Sequence, residues 1–285
     1  MGRYTPEEET FRGNCKQTKE DVVLILLTND DGIYAPGLRA MEQALQTLGE
    51  VVIVAPSTEQ SGVGHSITFL QPLVAHEVFD GERKRGWAVE GSPADCVKLA
   101  LFEYCPRQPD LIVSGINNGL NAGINILYSG TVAAAIEGAF FGIQSVAVSL
   151  EFDEHANFEG AAHLAQQIIG SLVDHPEPPA QLFNLNIPTA ALSMAERDQF
   201  PEVTVAPMGV ARYGEHYEKR TDPRGRDYFW ATNDPPPPRT GEETDLLALS
   251  EGKITLTPLH FDMTQQPALK TMRSWKWDVN SSSSE

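Results

Sequence analysis

Two adjacent carboxylates, Asp30 and Asp31, follow an uninterrupted apolar run at residues 22–27. Such a run is typical of a strand buried on both faces of a parallel sheet, and apolar residues recur at helical spacing after Gly37. The aspartates are therefore predicted to lie at the carboxyl end of a first strand, where open α/β sheets bind ligands. Because paired carboxylates repel each other unless protons or a cation offset their charge, this position favours a hard divalent metal.

Two other interpretations of this segment are weaker. Asp-Gly is a common hairpin turn, and a hairpin would need no metal, but the residues that follow have helical rather than alternating spacing. Gly32 and Gly37 do not complete the G-x-G-x-x-G pattern of dinucleotide-binding loops. The segment is thus predicted to be a strand, a ligand-binding loop and a helix.

Two further loops are predicted to meet the first one. A second apolar strand at residues 51–55 leads into a long loop at 56–68. A third strand at residues 110–114 leads into a loop at 114–131 that is rich in glycine and asparagine. Because the carboxyl ends of parallel strands share one edge of a sheet, these loops are expected to converge on residues 29–36.

The converging loops carry oxygen ligands and exposed amides. Asp30 and Asp31 suit Mg²⁺ or Mn²⁺, which prefer carboxylate, carbonyl and water oxygens, whereas zinc and copper call for His or Cys. Ser129, Gly130 and Thr131 open a predicted helix, whose free backbone amides and positive dipole end suit a phosphate oxygen. A metal beside a helix terminus predicts a phosphomonoester site.

The remaining apolar segments continue the alternation of strands and helices. Strands are predicted at residues 145–150 and 182–187, and helices at 131–141 and 158–173. Four strand-loop-helix units in succession predict an α/β fold with a doubly wound, Rossmann-like, mostly parallel sheet.

The chain is predicted to divide into four parts. These are a disordered extension at residues 1–20, an α/β metal- and phosphate-binding core at 21–200, a β-hairpin oligomerisation arm with a return strand at 201–265, and a C-terminal helix and tail at 266–285. Short β-prone pieces at residues 203–206, 228–231 and 254–257 are interpreted as hairpins that project from the core. A projecting arm with large aromatic residues is expected to contact another subunit.

Composition limits the function classes. The 285 residues include 21 Lys and Arg against 39 Asp and Glu, a formal net charge of -18, which repels polyanions and anionic membrane surfaces. Binding to a nucleic acid polymer or a membrane is therefore not expected, whereas a small phosphate ester held by a metal ion is compatible with this charge. Cys15, Cys96 and Cys105 form no C-x-x-C pair, and the acidic amino terminus does not resemble a signal peptide, so a cytoplasmic location is expected.

Five motifs occur in a fixed order between residues 22 and 264. They are NDDG-x-x-APG from residue 29, AP at 55 followed by QSGVGHSIT from 60, GSPADCVKLAL from 91, SGINNG from 114 and YSGTVAAAIEG from 128. Together these motifs resemble the SurE survival-protein family of metal-dependent nucleoside-5′-monophosphate phosphatases. The resemblance implies a divalent cation, Mg²⁺ or Mn²⁺, in each subunit and dimers or tetramers formed through the carboxyl-terminal arm.

The resemblance also implies which residues bind the metal, namely Asp30, Asp31, Ser61 and Asn117. The carboxylates are found by sequence reasoning alone, but the other two residues are not. A lone loop serine is usually a turn or cap residue, and an asparagine in a glycine-rich loop usually forms a left-handed turn.

Other polar residues have less specific assignments. Substrate contacts are expected at Gly62, His65, Ser129, Gly130 and Thr131. His65 is also a candidate for proton transfer, although a loop histidine is more often a surface residue. Asp95 is interpreted as a helix-capping residue after Ser92, and Glu137 as a residue on a solvated helix face.

The function that this resemblance implies is that of a 5′-nucleotidase, which hydrolyses nucleoside 5′-monophosphates and, as further candidates, 3′-monophosphates and short polyphosphate. Asp30 or Asp31 is expected to act as general base or as nucleophile, and the sequence leaves both roles open. One alternative is a phospho-acceptor signalling domain, although the loops after the third and fourth strands lack the lysine such domains need. The other is a non-catalytic nucleotide-binding protein that keeps the metal site.

Overall fold

The computed structural model describes most of the chain. The described residues are 22–175, 181–195, 197, 199, 201–210, 217–231 and 243–277. The predicted extension at residues 1–20 and the serine-rich end of the tail lie outside the described residues.

Strands and helices alternate along most of the described chain. The strands are β1 (Leu24–Thr28), β2 (Glu50–Pro56), β3 (Ala75–Asp80), β4 (Arg83–Val89), β5 (Leu111–Asn118), β6 (Gln144–Leu150), β7 (Leu182–Ile187), β8 (Val203–Val205), β9 (Tyr217–Thr221), β10 (Asp227–Ala231) and β11 (Ile254–Pro258). The helices are α1 (Pro36–Leu45), α2 (Pro93–Leu99), α3 (Gly130–Phe140), α4 (Phe158–Asp174), α5 (Thr189–Ala195), α6 (Asp245–Ser250) and α7 (Gln266–Met272). A short 3-10 turn, Gly123–Leu127, precedes α3.

A single mixed sheet forms the centre of the described structure, with strand order β3-β4-β2-β1-β5-β6-β7-β11-β8. The five central strands from β2 to β7 run parallel to one another, and β11 is antiparallel to β7. Strands β9 and β10 form a separate antiparallel hairpin. The predicted α/β class, with a mostly parallel sheet and a carboxyl-terminal hairpin, is confirmed.

The sheet is covered on both faces, which explains its uniformly apolar central strands. Ile25 and Leu27 pack into the cluster that contains α1 and α4, whereas Leu26 packs into the cluster that contains α2 and α3. Alternate residues of a strand point to opposite faces, so β1 must be apolar throughout. Burial on both faces thus fixes β1 at the centre and brings the residues after Thr28 to the carboxyl edge of the sheet.

Two parts of the sheet differ from the sequence prediction. The strands β3 and β4 form an antiparallel pair at one edge and were not predicted, because their charged residues hide the alternation of buried positions. Strands β8 and β11, interpreted from sequence as projecting pieces, instead extend the central sheet beyond β7. Part of the predicted arm region therefore belongs to the central sheet, to which these strands are hydrogen-bonded.

The third loop also begins later than predicted. Strand β5 continues to Asn118, because Asn117 and Asn118 pair with Ser149 and Leu150 of β6 after a shift in register. The polar residues of this motif therefore sit on the end of a central strand, which positions them more firmly than a loop would. Among the described residues, no helix has the length and apolar character needed to cross a membrane.

Candidate metal and phosphate site

Asp30 is the second residue after the end of β1 and is almost fully buried, with 6% of its surface exposed. The Thr131 hydroxyl donates a hydrogen bond of 2.5 Å to its Oδ1 atom. Burial raises the pKa of Asp30 above its ordinary value of 3.8, while hydrogen bonds from the hydroxyl and backbone of Thr131 act in the opposite direction. The start of α3 therefore stabilises the ionised form of this carboxylate.

Asp31 is more open to solvent than Asp30 and has fewer hydrogen-bond donors. Burial, followed by the negative charges of Asp30 and Glu59, raises the pKa of Asp31 from 3.8 to about 7, against a hydrogen bond from the backbone of Asn118. Two neighbouring carboxylates at a sheet edge thus carry charge that the described protein groups offset only in part. This is the electrostatic condition that favours a bound cation.

The start of α3 is close enough to Asp30 to exclude a side chain at Gly130. A Cβ atom on Gly130 would lie 2.9 Å from the Cβ atom of Asp30 and 3.1 Å from its Oδ2 atom. Ser129 is the N-cap of the helix, since its Oγ atom accepts a hydrogen bond from the Val132 amide at 3.1 Å. The structure therefore brings Ser129, Gly130 and Thr131 to the aspartates, with the Thr131 hydroxyl bonded to a carboxylate.

The second loop meets the first through the backbone. The amide of Gln60 donates to the Asp30 carbonyl at 2.8 Å, so Ser61 and Gly62 directly follow a contact with the aspartate loop. The Ser61 hydroxyl donates to Glu59 at 2.5 Å. Gly62 has a φ of 69° and faces open space. Glu59, whose charge acts on both aspartates, was missed by sequence reasoning because nothing in a loop sequence shows which side chains face the neighbouring loop.

Asn117 reaches the same edge from the end of β5. Its Nδ2 group donates to the Gly119 carbonyl at 2.6 Å, so Oδ1 is the accepting atom that remains on this amide. The adjacent Asn118 has a buried Oδ1 atom with no hydrogen-bond partner. Buried amide oxygens are normally paired, so the unpaired oxygen of Asn118, whose backbone bonds to Asp31, is an exception within the candidate site.

His65 has different surroundings from the other predicted site residues. Its Nε2 atom lies 2.8 Å from Glu137, and its ring stacks on Phe140 with the centroids 5.3 Å apart. Glu137 is 3% exposed and also pairs with Lys98 at 3.3 Å. The expectation of a solvated Glu137 is therefore wrong, because the carboxylate joins three elements. Glu137 and Phe140 therefore hold the His65 ring against α3.

Asp95 has the capping role expected from sequence. It accepts from the amide of Ser92 at 2.9 Å, while the Ser92 hydroxyl accepts from the amide of Asp95 at 3.1 Å. Asp95 also accepts from the amide and hydroxyl of Thr68, at 2.9 and 2.8 Å. The cap of α2 thus fixes the far end of the second loop as well.

The donor set fits a hard divalent cation. It comprises carboxylates, a hydroxyl and an amide oxygen, which Mg²⁺ and Mn²⁺ accept readily. Among the described residues no three His, Cys, Asp or Glu side chains group together as a metal site. The fold and these residues define an α/β protein with a candidate functional site at the carboxyl edge of its parallel sheet.

Comparisons with known proteins agree with this class. The family model described as survival protein SurE matches residues 25–215. A protein of Rhodopirellula baltica named 5′-nucleotidase SurE is 59% identical over 252 residues, covering 88% of this chain and 98% of the relative. A protein of the same name from Heliobacterium modesticaldum is 40% identical over 252 residues, covering 88% of this chain and 91% of the relative.

A solved structure gives the same result. The crystal structure of the SurE protein from Aquifex aeolicus superposes with a TM-score of 0.75 at 37% sequence identity, covering 88% of this chain and 98% of that one. The chain belongs to the SurE family. The resemblance predicted from the five motifs is therefore confirmed.

Proposed function

We propose that this protein is a metal-dependent 5′-nucleotidase that hydrolyses nucleoside 5′-monophosphates at the site around Asp30 and Asp31. The observation that carries the proposal is the pair of adjacent carboxylates at the sheet edge, of which Asp30 is buried and bonded to the start of a helix that suits a phosphate. The prediction of an enzyme of this class is confirmed by family membership and by the name of the curated relatives. No finding favours the signalling or non-catalytic alternatives.

We assign the ligands of one Mg²⁺ or Mn²⁺ ion to Asp30, Asp31, Ser61 and Asn117. A cation held there would polarise the phosphoryl group and neutralise its developing charge. For Ser61 to take part, its hydroxyl turns from Glu59, which the open second loop allows. Asn117 would bind the cation through Oδ1. Its Nδ2 group can keep its hydrogen bond to the Gly119 carbonyl when it does so.

The two aspartates are proposed to have different roles. Asp30 is fixed by Thr131 and buried, so it serves to hold the cation and the start of α3 together. Asp31 is more open to solvent and is the better placed of the two to accept a proton from an attacking water. A direct attack by Asp31 on phosphorus would use the same exposed oxygen, and trapping of a phosphorylated enzyme would separate the two routes.

The substrate contacts are proposed at the helix start and in the second loop. Ser129, Gly130 and the α3 dipole favour the phosphate, and Gly62 leaves space for it. His65 is proposed to act through the loop that carries Gly62, because its ring is held by Glu137 and Phe140 of α3.

The substrate range is tested with a panel of nucleoside 5′- and 3′-monophosphates and short polyphosphate. Released phosphate is measured with Mn²⁺, with Mg²⁺ and with excess chelator. We expect release from the 5′-monophosphates, with metal only. Tight binding of these nucleotides with no phosphate release would support the non-catalytic alternative.

We further propose that the protein forms homodimers or homotetramers through its carboxyl-terminal arm. The aromatic residues of the β9–β10 hairpin support this, since Phe229 and Trp230 are each 58% exposed in the single chain. A reducing, cytoplasmic compartment is proposed because Cys96 and Cys105 are free thiols.

A further inference from the structure

Asp245 is a fully buried carboxylate outside the proposed catalytic site. It is the first residue of α6 and follows the segment at 211–242 that contains the hairpin. Its Oδ1 atom accepts hydrogen bonds from the amides of Gly209 at 2.7 Å and Leu246 at 2.8 Å, and its Oδ2 atom accepts from the amide of Gly123 at 2.8 Å. Because a buried carboxylate is costly unless its oxygens are bonded, this is a specific contact between three chain segments.

The chain packs closely around Asp245 at two glycines, Gly123 and Gly209. Gly123 has a φ of 55°, and a Cβ atom there would lie 2.9 Å from the Gly209 carbonyl oxygen. A Cβ atom on Gly209 would lie 2.8 Å from Leu246 Cδ1 and 3.2 Å from Asp245 Oδ1. The chain just before the hairpin segment, the chain just after it and the loop after β5 therefore meet at one point.

The loop that Asp245 holds leads directly to the proposed phosphate site. Gly123 begins the turn Gly123–Leu127, which is followed by the N-cap of α3 at Ser129. Upstream, the same loop is held to the core by Asn121, whose amide donates to Asn186 at 2.9 Å and whose Nδ2 group donates to Ser149 at 2.8 Å. The core thus holds one side of the loop, and Asp245 holds the side nearer to α3.

We propose that Asp245 is a positioning residue, which fixes the loop at 119–129 and hence the start of α3 beside Asp30. The same carboxylate joins the base of the hairpin segment to this loop, so a displacement of the arm is transmitted to the phosphate site. All three partners are N–H donors, so only a side chain with two accepting oxygens satisfies them. The kinetic part of this proposal depends on the nucleotidase function proposed above.

The substitution Asp245→Asn breaks one of these links selectively. Its oxygen can still accept from Gly209 and Leu246, while its NH₂ group faces the amide of Gly123, where two donors meet. We expect the KM for adenosine 5′-monophosphate to rise about tenfold, as expected for loss of one hydrogen bond to a charged group. Asp245→Ala, which removes all three bonds, should raise it further. A purely structural role would lower the folded fraction and the apparent kcat, and would leave KM unchanged.

The matched control is Thr244→Ala. Thr244 caps the same helix by accepting from the Leu247 amide at 3.4 Å, but it makes no bond to Gly123. We expect it to lower stability and to leave KM within about twofold of the wild-type value, since a lost cap affects the helix alone. A wild-type KM in Asp245→Asn, or an equal rise of KM in Thr244→Ala, would overturn the proposal.

Amide hydrogen exchange tests the positioning independently of activity. Asp245→Asn should speed exchange in the peptide that covers residues 119–129 while residues 203–210 stay protected, and Thr244→Ala should do neither. Unchanged exchange at 119–129 would refute the proposal even if the enzyme is active. Faster exchange there with no hydrolysis by the wild type would instead count against the proposed function and leave the positioning role supported.

Discussion

The two carboxylates of the site are neighbours in sequence but have different surroundings. Asp30 receives the hydroxyl and backbone of Thr131, and these bonds oppose the effect of its burial on its pKa. Asp31 receives a backbone bond from Asn118 and is acted on by the charges of Asp30 and Glu59, so its pKa is raised to about 7. A bound cation would relieve this repulsion. In our account Asp30 therefore acts as a fixed metal ligand, and Asp31 is the carboxylate that accepts a proton.

Thr131→Val tests the support that α3 gives to Asp30. The change keeps the shape of the side chain and removes the donor to Oδ1. We expect metal affinity to fall by about 10-fold, as is usual when a bond that orients a ligand is lost, with partial recovery of the rate at high Mn²⁺. The affinity is measured by calorimetric titration.

The matched control is Thr28→Val. The buried hydroxyl of Thr28 has no hydrogen-bond partner among the described residues, so its removal should leave metal affinity unchanged. Equal affinities for the wild type and Thr131→Val would show that this hydrogen bond does not support the ligand.

Glu137→Gln tests the buried cluster beneath the second loop. Burial acts to raise the pKa of Glu137, but the hydrogen bond from His65 and the charge of Lys98 together hold it below its ordinary value of 4.5. A carboxyl whose pKa is lowered by folding stabilises the protein above the unfolded pKa, and this contribution is lost as the pH falls through the folded value. At pH 7 we expect the Gln variant to be less stable by on the order of 1 to 3 kcal/mol.

Urea unfolding at several pH values measures this difference. The difference in the free energy of unfolding between the wild type and Glu137→Gln should shrink as the pH falls below about 4.5, because the wild-type carboxylate then takes up a proton. The exposed Glu103 is the control, and Glu103→Gln should have little effect at any pH. A difference for Glu137→Gln that does not change with pH would mean that packing rather than charge explains the loss.

Helix α3 is the element on which the site depends most. Its first turn contacts Asp30, its third turn carries Glu137, and its N-cap follows the loop that Asp245 holds. Its small residues are explained by close packing, because Gly138 lies against Ile112 of β5. A shift of this one helix would therefore move the amides proposed to bind phosphate and the Asp30 carboxylate together.

Gly130→Ala tests the close approach of α3 to the first loop. The new methyl group would lie 2.9 Å from the Cβ atom of Asp30, so either the helix or the aspartate must move. We expect kcat/KM to fall on the order of 10², since displacements of about 1 Å have effects of that size. Steady-state kinetics measure this, with the fold checked by circular dichroism.

Gly170→Ala in α4 is the control. Its nearest neighbour would be Leu48 at 3.6 Å, so the substitution fits and should stabilise the helix by about 1 kcal/mol without changing activity. Full activity in Gly130→Ala would show that the contact with Asp30 is not needed for catalysis.

The elements of the core could be predicted from sequence because each carries its own periodicity. The central strands and α1, α3 and α4 were predicted within a few residues, and the Ser92 cap correctly marked the start of α2. The edge strands β3 and β4 could not be predicted, since exposure on the sheet edge removes the apolar pattern. Strands β8 and β11 are short, and only the long-range pairing of β11 with β7 and of β8 with β11 shows that they belong to the sheet.

The site could be predicted in part. The carboxylates could be predicted because two adjacent charges after an apolar strand repel each other unless a cation offsets them. Ser61 and Asn117 were assigned only through the family resemblance. The bond between Thr131 and Asp30 joins residues 101 positions apart, and that between Gly123 and Asp245 joins residues 122 apart. Such contacts depend on how the loops fold over the sheet edge, which local sequence does not specify.

At the scale of the whole molecule, charge and exposed aromatic surface bear on assembly. The formal net charge of -18 opposes association, so any stable interface must bury apolar area to offset it. The hairpin offers such area, because Tyr228, Phe229 and Trp230 are all exposed in the single chain. Burial of side chains of this size contributes roughly 1.5 to 3 kcal/mol each.

Removal of the arm tests the proposed assembly. Residues 211–242 are replaced by a short Gly-Ser linker, which can close the gap because the Gly209 amide and the Asp245 carboxylate are 2.7 Å apart. We expect light scattering to give the mass of a smaller species than the native assembly. As a control, the tip substitution Arg224→Ser should leave the mass unchanged, since it keeps the aromatic residues. A full-size assembly without the arm would place the interface elsewhere.

The central claim is that a divalent cation at Asp30 and Asp31 drives phosphate release. It is tested most directly by titrating Mn²⁺ into chelator-treated wild type and Asp31→Asn and measuring phosphate release from adenosine 5′-monophosphate. We predict no release without metal, recovery of the wild type on titration, and a rate on the order of 10² or more lower for Asp31→Asn at saturating metal. Undiminished release in excess chelator, or a near-normal rate for Asp31→Asn, would contradict the account.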